Sequence, residues 1–254
     1  MRGANGSQGR ILGRWLCGAG IAVLVADPGW AASVAIPALR DNTLYEDAAG
    51  GLSNGAGEYL FAGLTNQPKK RRALLAFDVA AAVPDGAVIL SAQLVLEMSQ
   101  TISGATPVAL QRVLADWGEG TSDAPNAEGG GAASTLGDAT WIHTFWATTT
   151  WASPGGDFSA TASATQSVAG DASYTWGSTA AMVADVQAWL DTPAQNFGWV
   201  LVGDESTSAS AKRFASRENA TAASRPRLEI VYGEIVFVDD FESADTSAWS
   251  TVVP

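Results

Sequence analysis

A single cysteine, Cys17, occurs in the 254 residues, and it falls in an amino-terminal segment that reads as a leader. The mature chain therefore has no thiol, which excludes a disulfide framework and thiol catalysis together. Histidine is as scarce: His143 stands alone, and one imidazole without cysteine leaves too few soft ligands for an ordinary zinc site. Basic residues are few, 14 against 26 acidic ones, so the broad cationic surface that nucleic acid requires is missing. Long apolar runs are missing too. The longest candidate, LCGAGIAVLVA, stops at Asp27 and Pro28, short of the roughly 20 residues that a membrane span needs.

That apolar run follows Arg2, Arg10 and Arg14 and precedes the small residues AASVA, the order of a secretory signal peptide. We place the signal at 1–32, one main domain at 33–233 and an acidic tail at 234–254, and expect the protein to be exported to the cell surface or medium. Loss of Arg2, Arg10, Arg14 and Asp27 with the signal leaves 11 basic and 25 acidic residues, a formal charge of about −14. The remaining length, about 220 residues, suits a single large β domain.

The hydrophobic pattern has period two. In AQLVLEM, Ala92, Leu94, Leu96 and Met98 share one face; in RRALLAFDV, Leu75, Phe77 and Val79 do; in PRLEIVY, Leu228, Ile230 and Tyr232 do. Turn-forming stretches such as VPDGA, SPGGD and GEGTSDAPNAEGGGAA separate these runs. The pattern predicts an all-β fold, an antiparallel, jelly-roll-like sandwich. One helix is expected in STAAMVADVQAWLDTP, with Met182, Val183, Val186, Trp189 and Leu190 as its apolar stripe, Ser178 or Thr179 as cap and Pro193 as stop.

Several patterns bear on chemistry. GLSNG at 51–55 matches the nucleophile pattern G-x-S-x-G, but a strand-like EYLFAG follows where a helix is needed, so Ser53 reads as a turn residue. His143, beside Trp141 and Phe145, has no visible catalytic accomplice and reads as a packed sheet residue. Glu119, Asp123, Glu128 and Asp138 surround a Gly-rich loop, and Asp239, Asp240, Glu242 and Asp245 lie in the tail. Such oxygen ligands suit calcium, without matching the EF-hand spacing; no other cofactor is indicated. Lys69–Arg72 and the group Lys212, Arg213, Arg217, Arg225 and Arg227 would merge nine cations into one patch if their strands are neighbours. That patch would attract acidic polysaccharide. Trp141, Trp146 and Trp151 recur in DATWIHTFWATTTWASPGGDF, which reads as two short strands or a strand with a bulged loop, and each ring either packs or offers a stacking platform for sugar.

As a set, ALRDNTLYED, GLSNGAGEYLFAG, RRALLAFDV, GAVILSAQLVLEM, the W...W..PGGD segment, the helix, NFGWVLVGD and FASRENATAASRPRLEIVY resemble, in order, the DNRLRE domain family. Its members are secreted β-sandwich modules grouped with carbohydrate-binding modules. The likeness runs from about residue 36 to 232. It implies a jelly-roll-like sandwich that binds polysaccharide and offers no catalytic residues to carry over. It also makes Trp151 and PGGD fold signature, leaving Trp117 and Trp146 freer to face solvent. The tail FVDDFESADTSAWSTVVP is similar to a short terminal segment, F-x-D-G-F-E-S-G-D-x-S-x-W-S, of secreted Gram-negative proteins, with Asp240 and Ala244 in place of both glycines.

These readings converge on a non-catalytic, extracellular polysaccharide-binding module, with Trp117, Trp146, Lys69, Arg71, Arg213 and Arg217 as ligand-binding residues. The rival classes are a structural or adhesive module that packs against other surface proteins, and a polysaccharide lyase.

Overall fold

The computed structural model describes residues 31–233; the expected leader, apart from Ala31 and Ala32, and the tail lie outside the described residues. The strands are β1 (Ala31–Pro37), β2 (Arg40–Tyr45), β3 (Leu52–Ser53), β4 (Tyr59–Leu64), β5 (Lys70–Ala76), β6 (Val88–Gln100), β7 (Thr106–Val113) and β8 (Ala132–Ala133). They continue with β9 (His143–Phe145), β10 (Thr149–Thr150), β11 (Phe158–Val168), β12 (Ala172–Gly177), β13 (Trp199–Val202), β14 (Lys212–Ala215) and β15 (Arg227–Gly233). Helix α1 (Val79–Ala82) is a single turn, and α2 (Ala180–Asp191) is the amphipathic helix that the sequence predicts. No helix among the described residues is long and apolar enough to cross a membrane.

The fold is all-β and antiparallel. Eleven strands form one curled sheet in the order β1-β15-β6-β14-β4-β5-β13-β7-β11, with β12 added to β6 and β2 to β5. The curl turns at β4: residues 59–62 pair with β14, and residues 63–64 pair with β5. Gly63 sits at that corner with φ +119, and a Cβ there would meet the Ala211 backbone at 2.9 Å, so the bend requires glycine. The two halves of the sheet then face each other as a sandwich.

The core between them is built from the alternating residues read from the sequence. Ala92, Leu94, Leu96 and Met98 of β6, Leu228 and Ile230 of β15, and Leu75 and Phe77 at β5 all join it, with Tyr232 packed at its margin. Helix α2 caps one side, laying Met182, Val186, Trp189 and Leu190 into the same cluster, with Val183 against it. Thr179 caps its first turn by accepting a bond from the Met182 amide at 3.1 Å. Trp189 meets Trp199 edge-on at 4.3 Å, and the Trp199 indole donates to Asp185 at 2.9 Å, fixing the helix to β13.

The second half of the sheet is covered on both faces, which strict alternation does not foretell. Leu74 and Ala76 of β5, Val113 and Val200 pack against Trp117, Trp141 and Trp151, contributed by the long connection between β7 and β11. RRALLA therefore buries consecutive residues, as a strand covered on both faces must. The β9–β10 hairpin realises the two short strands expected of this segment. Trp141 and Trp151 are core, and Trp146 is half-buried with its ring edge-on to His143 at 4.7 Å. Gly155, at φ +95, lies so close to Trp141 that a Cβ would sit 2.9 Å from the indole, which explains the glycine in PGGD.

Candidate functional site

The structure brings some of the expected residues together and disperses the rest. An open groove of about 230 Å³ lies where β4, β14 and β6 run side by side near one end of the sandwich. Its centre is a row across three strands: Phe61 pairs with Arg213, and Arg213 with Gln100. Direct cross-strand partners share a face, so an aromatic ring, a guanidinium and an amide stand in line. Ile102, at the end of β6, adds an exposed apolar wall, and Thr65 and Asn66 add hydroxyl and amide groups on the far rim.

Arg213 is half-buried, its guanidinium 4.0 Å from the centre of the Tyr59 ring and its Nε donating to Ser99 at 3.1 Å. It pairs with no carboxylate among the described residues. It shares this with Arg71 and Lys212, which are buried on other acceptors, and with exposed Arg225, which donates to the Asn219 carbonyl away from the groove. Arg40 is tied to Asp116, Lys70 and Arg72 to Glu205, Arg112 to Asp185, Arg217 to Glu119 and Glu218, and Arg227 to Glu229. Lys69 is exposed at the base of the 65–69 turn, which closes as the Thr65 amide donates to the Lys69 carbonyl and the Lys69 amide donates to the Thr65 hydroxyl at the groove rim. Lys69 and Arg213 are thus the two expected cations that the fold leaves open beside one groove.

The opposite wall is the 127–129 loop, and it is held firmly. Glu128, at φ +63, sends its carboxylate to the amides of Glu58 and Tyr59 and to the Asn54 side chain at 2.8–3.0 Å. Tyr45 donates to the Glu128 carbonyl at 2.9 Å, and burial raises its phenol well above the ordinary range, keeping it a neutral donor. Gly129 packs against Phe61 and accepts two bonds from Arg71. The wall is preorganised, which lowers the cost of ordering it around a ligand.

Four expectations are corrected here. Trp117 is fully buried: its indole donates to the Phe197 carbonyl at 2.9 Å and Arg40 stacks on its ring, because the DWGEG loop is pressed onto the outer face of the second half-sheet. Arg71 is buried over the Tyr45 ring, committed to backbone carbonyls, since its position on β5 points under the 127–129 loop. The nine cations do not converge, because β4 separates β5 from β14, and four of them, Lys70, Arg72, Arg217 and Arg227, are paired with carboxylates where they stand. Lys212 is buried as well, donating to Ser103, Gly104 and Ala169. Nor do the four Gly-rich-loop carboxylates meet as one set: Glu128 and Asp138 are spent on backbone amides, Asp123 is exposed, and Glu119 lies beside Asp41 and Glu218 instead.

Trp146 is half-exposed but belongs to the β9–β10 hairpin, with no place in the groove lining. Arg217 lies elsewhere, in a carboxylate cluster. Ser53 is buried in β3 and donates to Asn42 and Ala139, as a turn-and-strand residue. His143 Nδ1 is hydrogen-bonded to the Thr140 hydroxyl at 3.0 Å, and the residue is half-buried. Phe61, Gln100 and Ile102 were missed. Their only signal is the exposed Ile102 in a polar turn, since in EYLFAGL both faces of the strand are apolar.

Searched against protein-family models and curated proteins, the chain matches none.

Proposed function

We propose that this protein is a non-catalytic module that binds acidic polysaccharide in the Phe61–Arg213–Gln100 groove. The supporting observation is Arg213: in a chain of net charge −12, it is a half-exposed guanidinium left without a carboxylate, set between an aromatic ring and an amide. A uronate chain carries matching features. Its ring faces are apolar enough to lie on exposed Ile102, with buried Phe61 forming the floor beneath, its hydroxyls meet Gln100, Thr65 and Asn66, and its carboxylates accept the paired N–H groups of arginine. Lys69 extends the positive rim toward the next sugar. The resemblance to the DNRLRE domain family and the leader-like amino terminus fit an exported module of this kind, and no residue in the groove is assigned to bond-breaking.

Calorimetric titration of the protein with alginate, polygalacturonate and a neutral glucan tests this. Saturable binding to a uronate polymer, weakened at least about tenfold by Arg213→Ala, is the expected result. Equal affinity for the neutral glucan, or uronate binding untouched by Arg213→Ala and Phe61→Ala, overturns it. Release of an unsaturated, ultraviolet-absorbing product would move the protein to the lyase class.

A further inference from the structure

Arg217 marks a second cluster, remote from the groove in its chemistry. Asp41 on β2, Glu119 in the loop after β7 and Glu218 just past β14 each offer a carboxylate oxygen, and the three oxygens lie within 4.8 Å of one another. Three distant chain segments converge here. Asp41 is 1% exposed; its Oδ2 accepts the Arg217 amide at 2.7 Å, and its Oδ1 is buried with no partner. Glu218 is bound by the Arg217 guanidinium through Oε1, while its Oε2 is likewise buried and unpartnered. Glu119 Oε1 accepts the Asp41 amide at 2.8 Å and faces Arg217 Nε at 3.5 Å.

The charge does not balance. Three carboxylates face one committed cation, because Arg40 is spent on Asp116 and the Trp117 carbonyl. Leaving a buried carboxylate oxygen unpaired is costly, and neighbouring like charges add to that cost. A divalent cation would cancel the excess and give both orphaned oxygens a ligand.

We infer that Asp41, Glu119 and Glu218 form a calcium site that locks β2, the Glu119 loop and the β14–β15 connection together. Calcium is favoured over magnesium for two reasons. Three carboxylates from separate segments, two of them already held by backbone amides, make an irregular donor set that calcium accepts with six to eight oxygens at roughly 2.3–2.6 Å, whereas magnesium demands about 2.1 Å in a strict octahedron. A solvent cavity of about 400 Å³, lined by Glu218, Arg217 and Arg225, reaches the cluster at Glu218 and leaves room for the water ligands that calcium's larger shell requires. Soft metals are excluded by the all-oxygen donor set.

The test is thermal unfolding of the full chain after chelation, titrated with calcium or magnesium chloride, with calorimetry for stoichiometry. One calcium per chain is expected, raising the midpoint by roughly 5–10 °C at a hundredfold excess over the dissociation constant, with magnesium far weaker. Glu218→Gln should abolish most of that shift. Asp41→Asn should do the same while leaving the chelated protein at least as stable as the chelated wild type, because the neutral amide no longer needs the ion. A wild-type midpoint that ignores calcium, or a shift that survives in both variants, overturns the site. Because Arg213→Ala leaves these ligands intact, its calcium response should match the wild type, so the groove and the ion site succeed or fail separately.

Discussion

At the scale of single residues, what a side chain does here is set by whether its partner is already spoken for. Arg213 and Arg217 are four residues apart and both half-buried, yet one lies open to a groove and the other is clamped between two glutamates. Trp117 and Trp146 divide in the same way. Trp117 is fully enclosed with its indole bonded, so Trp117→Ala should cost about 3–5 kcal/mol of stability by denaturant titration. Any glycan affinity lost with it should return in proportion to the folded fraction. Trp146→Ala, by contrast, should change stability by only about 1 kcal/mol, since the ring rests on His143 and is half in solvent. A large, uronate-specific affinity loss in Trp146→Ala with stability intact would restore the role that its spacing first suggested.

At the scale of elements, the β5–β13 pair is tied at its end by charge as well as by its ladder. Arg72 of β5 meets Glu205, in the turn after β13, through a two-point contact at 2.6 and 2.8 Å, with Lys70 at 3.2 Å. Burial alone would raise the Glu205 carboxyl, but the two cations outweigh it and hold it below the ordinary range. A carboxylate depressed in the folded state contributes stability that is complete above its unfolded value, near ~4.3, and is lost as pH falls through the folded value. Urea midpoints measured from pH 7 down to pH 3 should therefore fall in the wild type on the acid side. Glu205→Gln should be less stable at pH 7 and flatter below pH 5; parallel curves for the two proteins would show that the pair contributes nothing.

At the scale of the whole molecule, an acidic chain carries a small cationic opening at Arg213, so binding of a polyanion there has to be short-ranged. Uronate affinity should drop as sodium chloride is raised from about 50 to 500 mM, because the screening length shrinks from more than 10 Å to a few ångströms. The drop should be shallower in Arg213→Ala. Salt independence would point instead to apolar stacking on Ile102 over the Phe61 floor. The architecture itself was legible in the chain. Period-two alternation in β6 and β15 and a single apolar stripe between Thr179 and Pro193 are local signals, and they specified antiparallel strands, one amphipathic helix and the inward residues of the main core. The sites were not legible, because their partners are far away in sequence: Phe61 meets Arg213 across two paired strands, and Asp41 meets Glu119 and Glu218 from three separate segments. Alternation also cannot report that β5 is covered on both faces, the fact that buried Trp117 and Arg71. The sequence by itself determined the strands, the helix and the acidic charge balance. Only the tertiary structure decided which aromatic stays wet, which arginine stays unpaired and which carboxylates converge, because burial and charge pairing depend on contacts that form after the sheet has curled.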